Sequence, residues 1–358
     1  MALSFRYRLQ AYGGSRRNRY ACPGCGQAHQ FTRWLDTQTG EQLPAEFGRC
    51  NRIDQCGYSR SPYEPGPGGQ SYAAAQASAA TADVTNRLRS RILPPAPPLC
   101  VIPEQVVQQS LRAYERNSFA HFLQTRFGAG IAADLLHRFE IGTSTHWPGA
   151  TVFWQRDEWD RVRGGQVVLF DAQGHTVKQR RGDGTAYRCT TWVHTALAQR
   201  CQQQGIAQPT WLTRYLDPAN QVAKSPSLYG LRQLATIPSD QPIGLVEAPK
   251  TAVVCTGYLP SVTWLAVGSL SQLTSVRLHP LKAYPLTLYP DASVTGHAYN
   301  HWMTKAAALR QQGFKLCVSS LLEQKTTSAQ QLAGYDLADV LLDQWPGYPP
   351  SWDSLEVN

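Results

Sequence analysis

The chain has 358 residues, 42% of them hydrophobic, enough to bury a core and to form two or three domains. A formal charge of +9 and a pI near 9.1 favour a polyanionic partner over an acidic or neutral one. No apolar run approaches the roughly 18 residues of a membrane span. The opening Met1-Ala2-Leu3-Ser4-Phe5-Arg6-Tyr7-Arg8 also lacks the apolar core of a secretory signal. The chain therefore reads as soluble and cytoplasmic, with no membrane partner, and its nine cysteines as reduced thiols and metal ligands rather than disulfides.

Residues 1–60 are rich in arginine and hold four of the cysteines. Cys22-Pro23-Gly24-Cys25 is a zinc knuckle, two thiolates two residues apart with a glycine for the tight turn. Its partner pair is Cys50 and Cys56, more widely spaced and followed by Gly57. Between the pairs, Phe31-Thr32-Arg33-Trp34-Leu35 and the turn at 36–40 predict a hairpin, hence a zinc ribbon with a closed, structural Zn²⁺ site. His29 is either a substitute ligand or a surface residue. Arginines interleave here with aromatic residues. Arg17, Arg19, Arg33, Trp34 and Arg52 are the candidates for a surface that meets phosphates and stacks on unpaired bases.

Residues 61–98 turn to Pro, Gly, Ala, Ser and Gln, the composition of a flexible linker. Beyond it, apolar spacing predicts three helices, the second ending at Gly128-Ala129-Gly130 and the third running to Ile141-Gly142. Strand-like runs follow at 151–154 and 166–170, the latter joined to 175–178 as a hairpin. From Ile243, strand and helix patterns alternate: strands near 243–246, 262–267, 286–289 and 315–318, helices near 250–257 and 301–313. Such alternation implies a small parallel sheet flanked by helices. No phosphate-binding loop of the G-x-x-x-x-G-K-[ST] type is present, so no helicase of that class is fused to the chain.

Two of the apolar runs end in carboxylates, Glu247 and Asp291, and a third acidic pair stands at Asp336 and Asp339. Carboxylates at the ends of neighbouring parallel strands converge at the edge where open α/β sheets bind ligands. Oxygen-only ligands there suit Mg²⁺ or Mn²⁺ and phosphate chemistry. Each carboxylate also has a plainer reading as a helix cap or first-turn acid. The five remaining cysteines, among them Cys100 and Cys189, read as core residues.

In order along the chain, these pieces resemble DnaG-type bacterial primases, and more closely the primase-like Toprim proteins of Bacteroidota mobile elements. The resemblance rests on Cys22 to Cys56 with Gly48-Arg49-Cys50-Asn51-Arg52, on Phe153-Trp154-Gln155 with Val162-Arg163-Gly164-Gly165, and on Thr191-Trp192-Val193-His194. Ser227-Leu228-Tyr229-Gly230, the stretch 246–252, Tyr289-Pro290-Asp291 and Asp336-Leu337-Ala338-Asp339 continue it. It covers nearly the whole chain apart from the linker.

The resemblance implies a multidomain α+β and α/β fold. Its parts are a zinc ribbon (1–60), the linker (61–98), a basic α+β region (99–240), a Toprim domain with a Rossmann-like parallel sheet (241–345) and a tail (346–358). It implies a primase-like nucleotidyltransferase acting on single-stranded DNA with nucleoside triphosphates, assisted by a separate helicase or initiator. Glu247 becomes the general acid/base or metal organiser, Asp291 the Mg²⁺ ligand, and Lys250 a phosphate contact. Ser293 stands where the family has a second aspartate, a loss for which Asp336 and Asp339 could compensate. Arg163, Lys178, Arg180, Arg181 and Lys224 become contacts to template or triphosphate. A Toprim nuclease and a non-catalytic ssDNA-binding replication protein are the competing classes.

Overall fold

The computed structural model describes residues 6–10, 19–52, 55–66, 69–76, 99–180, 182, 184–217, 227–345 and 347–349. The chain divides into two compact units, Met1–Pro97 and Pro98–Asn358. Among the described residues, no helix is long and apolar enough to cross a membrane.

The first unit is an antiparallel sheet in the order β1 (Tyr7–Leu9), β2 (Phe31–Asp36), β3 (Gly48–Cys50) and β4 (Ser59–Arg60). Two small cores hold it. Cys22, Phe31 and Cys50 are buried with Tyr20 and Tyr58 against them, while Tyr7, Leu43 and Phe47 are buried beneath Trp34, Tyr63 and Tyr72. The second core corrects the expected start of the linker. The Tyr63 hydroxyl accepts the Tyr7 N–H at 2.7 Å and donates to the Tyr7 carbonyl at 3.3 Å, and the Ala73 N–H donates to the Pro62 carbonyl at 2.8 Å. Aromatic burial outweighs the flexible composition, and residues 61–66 and 69–76 belong to the ribbon unit. The rest of the expected linker, 77–98, lies outside the described residues.

In the second unit, α1 (Glu104–Ser110) and α2 (Ser118–Arg138) precede an antiparallel sheet. Asn117 caps α2, its side chain accepting from the Phe119 and Ala120 N–H groups. Gly128, at φ 79°, breaks the helix where the glycines predicted a break, yet the chain resumes its course to Arg138. The sheet has the order β10 (Thr190–Trp192), β7 (Val162–Val168), β6 (Ala150–Arg156) and β5 (Ile141–Ser144). The turn after Phe170 forms as expected, but its pairing stops at the Phe170–Thr176 bridge. Beyond it, β8 (Lys178–Arg180) pairs instead with β9 (Ala186–Arg188) as a separate hairpin. Helices α3 (Val193–Gln204) and α4 (Thr210–Leu216) follow.

The alternating segment folds as predicted into a fully parallel sheet. Its strands are β11 (Ile243–Val246), β12 (Thr263–Ala266), β13 (Leu286–Leu288) and β14 (Leu316–Val318), in the order β12-β11-β13-β14. Helices α5 (Pro249–Tyr258) and α6 (His297–Gln311) connect them, and α7 (Leu337–Gln344) comes last. Neighbouring residues of β11 serve opposite faces: Leu245 joins the core beneath α6, Val246 the core with α5 and α7. That second core also takes in Phe119, Leu123, Phe153 and Phe170. One continuous core therefore crosses the boundary expected at 240/241. The basic region and the parallel sheet are packed parts of one unit, because α2 and β6 supply the cover that the α5 face needs.

Candidate metal and nucleic-acid sites

The sulfurs of Cys22, Cys25, Cys50 and Cys56 all lie within 4.8 Å of one another. Cys22 Sγ and Cys56 Sγ are 3.7 Å apart, close to the ~3.8 Å edge of a tetrahedron built on Zn–S bonds of about 2.3 Å. The Gly24 N–H donates to Cys22 Sγ at 3.3 Å. The Gln27 N–H draws the Cys25 thiol down to about 7, whereas burial pushes Cys50 up to about 12. The four thiols fit a structural Zn²⁺ with no open position. His29 is exposed and outside the cluster, so it is the surface residue of the two readings.

Glu247 and Asp291 lie just beyond the carboxyl ends of β11 and β13, which are adjacent strands. From β11 the chain crosses to β12 on one side, and from β13 to β14 on the other. The connections diverge between these two strands, and the crevice so formed is where open sheets hold ligands. The Asp291 N–H donates to Glu247 Oε1 at 3.4 Å. Although Asp291 is only half-buried as a residue, its Oδ1 is shut off from solvent and has no hydrogen-bond partner. Burial first, and then the Glu247 charge, hold its carboxyl well above the ordinary range. A desolvated carboxylate beside a second one suits a hard divalent cation, for which Mg²⁺ needs only one or two protein carboxylates.

The other three expected members of this site are engaged elsewhere. Lys250 Nζ donates to Asp339 Oδ1 at 2.9 Å and reaches Asp336 Oδ2 at 3.1 Å. Burial works against its charge, but the two aspartates outweigh it and raise the ammonium above lysine's ordinary value. Lys250 is thus a buried tie rather than the expected phosphate contact. Asp336 Oδ2 also accepts from Thr251 Oγ1 at 2.7 Å, while Asp336 and Asp339 form a reciprocal capping box on α7. All four of their oxygens accept hydrogen bonds within this tie. Ser293 is itself used locally, its Oγ accepting the Ala298 N–H of α6 at 2.8 Å. Among the described residues, the four cysteines are the one group of three or more ligand side chains gathered at metal-binding distance. Glu247 and Asp291 form a two-carboxylate site.

The expected nucleic-acid residues divide by burial. Arg163 is buried, donating to Asp157 Oδ2 at 3.2 Å and to the Cys100 carbonyl at 3.3 Å, so it is a structural residue. Arg33 is held by Gln42 and by the Leu43 carbonyl and lies over the Tyr20 ring. Trp34 packs on Tyr63 at the ribbon's own core instead of offering a free face. Arg19 and Arg52 are half-buried, and Arg52 bonds Gln55 at 2.8 Å. Arg17, Arg181 and Lys224 lie outside the described residues.

Lys178 and Arg180 are exposed on the β8–β9 hairpin. Sequence reasoning missed their partner: Arg188 stands directly opposite Lys178, on the face that Arg180 shares. Like charges opposed across a ladder are destabilising, so this face invites a polyanion. The signal was readable as a basic residue two positions before Thr190, but nothing in the spacing announced a short second hairpin. A network centred on the buried Arg156 and Glu140 was also missed. Arg156 donates to Glu104 at 2.8 Å and Glu140 at 2.9 Å, and Arg232 reaches Glu140 at 2.9 Å.

Comparison with known proteins adds two family matches. A zinc beta-ribbon finger family matches residues 5–67, and a domain of unknown function (DUF6371) matches residues 117–292. No curated protein matches the chain. Among solved structures, the primase fragment of the bacteriophage T7 primase-helicase is 12% identical, covering 91% of this chain and 94% of its own, with a TM-score of 0.36. The E. coli primase catalytic core is 12% identical over 68% and 82% of the two chains, with a TM-score of 0.36. A DnaG primase catalytic domain bound to ssDNA is 13% identical over 67% and 72%, with a TM-score of 0.38. The chain thus combines an N-terminal zinc ribbon with a mixed α/β unit built on a parallel sheet.

Proposed function

We propose that this protein is a primase-like nucleotidyltransferase of the Toprim kind, acting on single-stranded DNA in the replication of cellular or mobile-element DNA. The observation that carries the reading is the Asp291 oxygen, buried without a partner beside Glu247 at the point where the parallel sheet's connections diverge. Such an atom is costly unless something cationic meets it. Glu247 and Asp291 would hold Mg²⁺ or Mn²⁺, which when bound neutralises phosphate oxygens and sharpens a hydroxyl nucleophile. The chain's own residues do the positioning. Lys250, with Asp336 and Asp339, ties α5 to α7 immediately behind Glu247, and Ser293 fixes the start of α6 beyond Asp291. The exposed Lys178, Arg180 and Arg188 would follow the phosphates of the template, and the zinc ribbon would hold a further stretch of it. Nucleoside triphosphates are the substrates in this reading, and a separate helicase or initiator opens the duplex.

The test is incubation of the full chain with ssDNA, labelled nucleotides and Mg²⁺ or Mn²⁺. Extended products are expected. Glu247→Gln should lower synthesis about a hundredfold or more, the effect of losing several kcal/mol of metal-assisted stabilisation, while ssDNA binding persists. Undiminished synthesis in that variant refutes the site. Shortened substrate would mean a nuclease, and retention with neither change a binding protein.

A further inference from the structure

A cavity of about 580 Å³ in the second unit includes neither Glu247 nor Asp291 among its lining residues. One wall is the β6–β7 turn, which presents Trp159 at 66% exposure, an unusual setting for the largest side chain. That turn is stiff. Asp157 Oδ1 accepts the Trp159 and Arg161 N–H groups at 3.1 and 3.0 Å, and Arg161 stacks over the indole at 4.5 Å. The facing wall comes from residues 275–282 and 312–314 and carries Arg277, His279 and Lys282.

The charges in this cavity do not cancel. Asp157 is already taken by Arg161 and Arg163. Arg277 donates to the Val267 carbonyl at 2.9 Å, and Lys282 lies 5.8 Å from the centre of the Phe314 ring. Neither forms an ion pair with a carboxylate among the described residues, and Glu158 is the one carboxylate left on the lining to set against them. Burial lowers the Arg277 guanidinium to about 10, with no carboxylate beside it to raise it again. Val276, 76% exposed, adds an apolar edge to the same wall. An aromatic platform in the same cavity as cations that no carboxylate pairs selects a ligand with a flat π-face and an anionic group.

We propose that this cavity binds a nucleoside phosphate, its base against Trp159 and its phosphate on Arg277 and Lys282. The ligand is a free nucleotide or the phosphorylated end of a strand. The pocket is independent of the two-carboxylate site and needs no metal.

Calorimetric titration of the full chain in buffer without divalent cations tests it, with ATP, inorganic phosphate, and a short oligonucleotide with and without a 5′-phosphate as probes. ATP is expected to bind, and phosphate to bind more weakly. Trp159→Ala should weaken ATP on the order of tenfold through lost stacking and leave phosphate unchanged. Lys282→Gln should weaken both. Displacement of ATP by the phosphorylated oligonucleotide, but not by its unphosphorylated form, identifies a strand end; binding of ATP alone identifies a free nucleotide. The Glu247→Gln/Asp291→Asn double variant should bind ATP as wild type does, so failure of the catalytic reading leaves this result standing. Absence of binding by every probe overturns the proposal, as does binding indifferent to both Trp159→Ala and Lys282→Gln. Circular dichroism of Trp159→Ala and Lys282→Gln, whose changed side chains are exposed, separates lost binding from lost fold.

Discussion

Asp291 and Lys250 are both withdrawn from water at the same sheet edge, yet their situations are opposite. Lys250 is matched by two carboxylates, whereas Asp291 Oδ1 is matched by nothing. A carboxyl raised in the folded state holds its proton more tightly there than in the unfolded chain. Its burial cost is therefore absent below the ordinary aspartate value of about 4, grows as pH rises from there toward the raised one, and is constant above it. Asp291→Asn removes that cost. Without divalent cations, the variant should melt above wild type at neutral pH and higher, with the gain fading as pH falls toward about 4. Parallel melting curves at every pH would contradict the burial described. Lys250→Met should do the reverse, leaving Asp336 and Asp339 buried without their cation at a cost of about 3–5 kcal/mol. Urea midpoints measure it, and a loss below about 1 kcal/mol would mean that the pair is solvated in solution.

At the scale of elements, the β8–β9 hairpin sets Lys178 against Arg188 with Arg180 on the same face, an arrangement a small hairpin does not adopt for its own stability. Replacing all three by alanine should weaken ssDNA binding and flatten its dependence on log[salt] by about 2, from three contacts at about 0.7 each. An unchanged slope would remove the hairpin from the interface. This hairpin also shows where sequence stops informing. The parallel strands were legible because each is a short apolar run bounded by turn residues, and the ribbon because thiolate spacing follows metal geometry. Glu247 and Asp291 were legible as strand ends. The engagement of Lys250 by Asp336 and Asp339 was not, since it depends on α7 returning across α5, a packing event that no local pattern encodes. Nor was the shared core across 240/241: the pattern turns there to alternating strand and helix, but one core runs through it.

For the whole molecule, each hydrophobic core lies inside one of the two units: the ribbon unit has its own pair, and the larger unit the rest. The smaller unit is too small to rest on hydrophobic burial alone, so its stability should depend on metal. Chelation is expected to abolish one calorimetric transition and leave a second, belonging to residues 98–358, at its original temperature. Metal analysis should give one zinc per chain, lost in Cys50→Ser. A single transition abolished as a whole by chelation would mean that the larger unit cannot fold by itself. Within that larger unit, α7 governs the strength of the field around Glu247 and Asp291. Glu247, Asp291, Asp336 and Asp339 against Lys250 make the sheet edge anionic. A chain ending before Asp336 would keep Lys250 and lose both its counter-ions, leaving an unpaired ammonium beside Glu247 and Asp291 and weakening the pull of the edge on a cation. The last helix is thus an electrostatic component of a site whose ligands it does not supply, and a frameshift near the C-terminus would weaken cation binding there without touching Glu247 or Asp291.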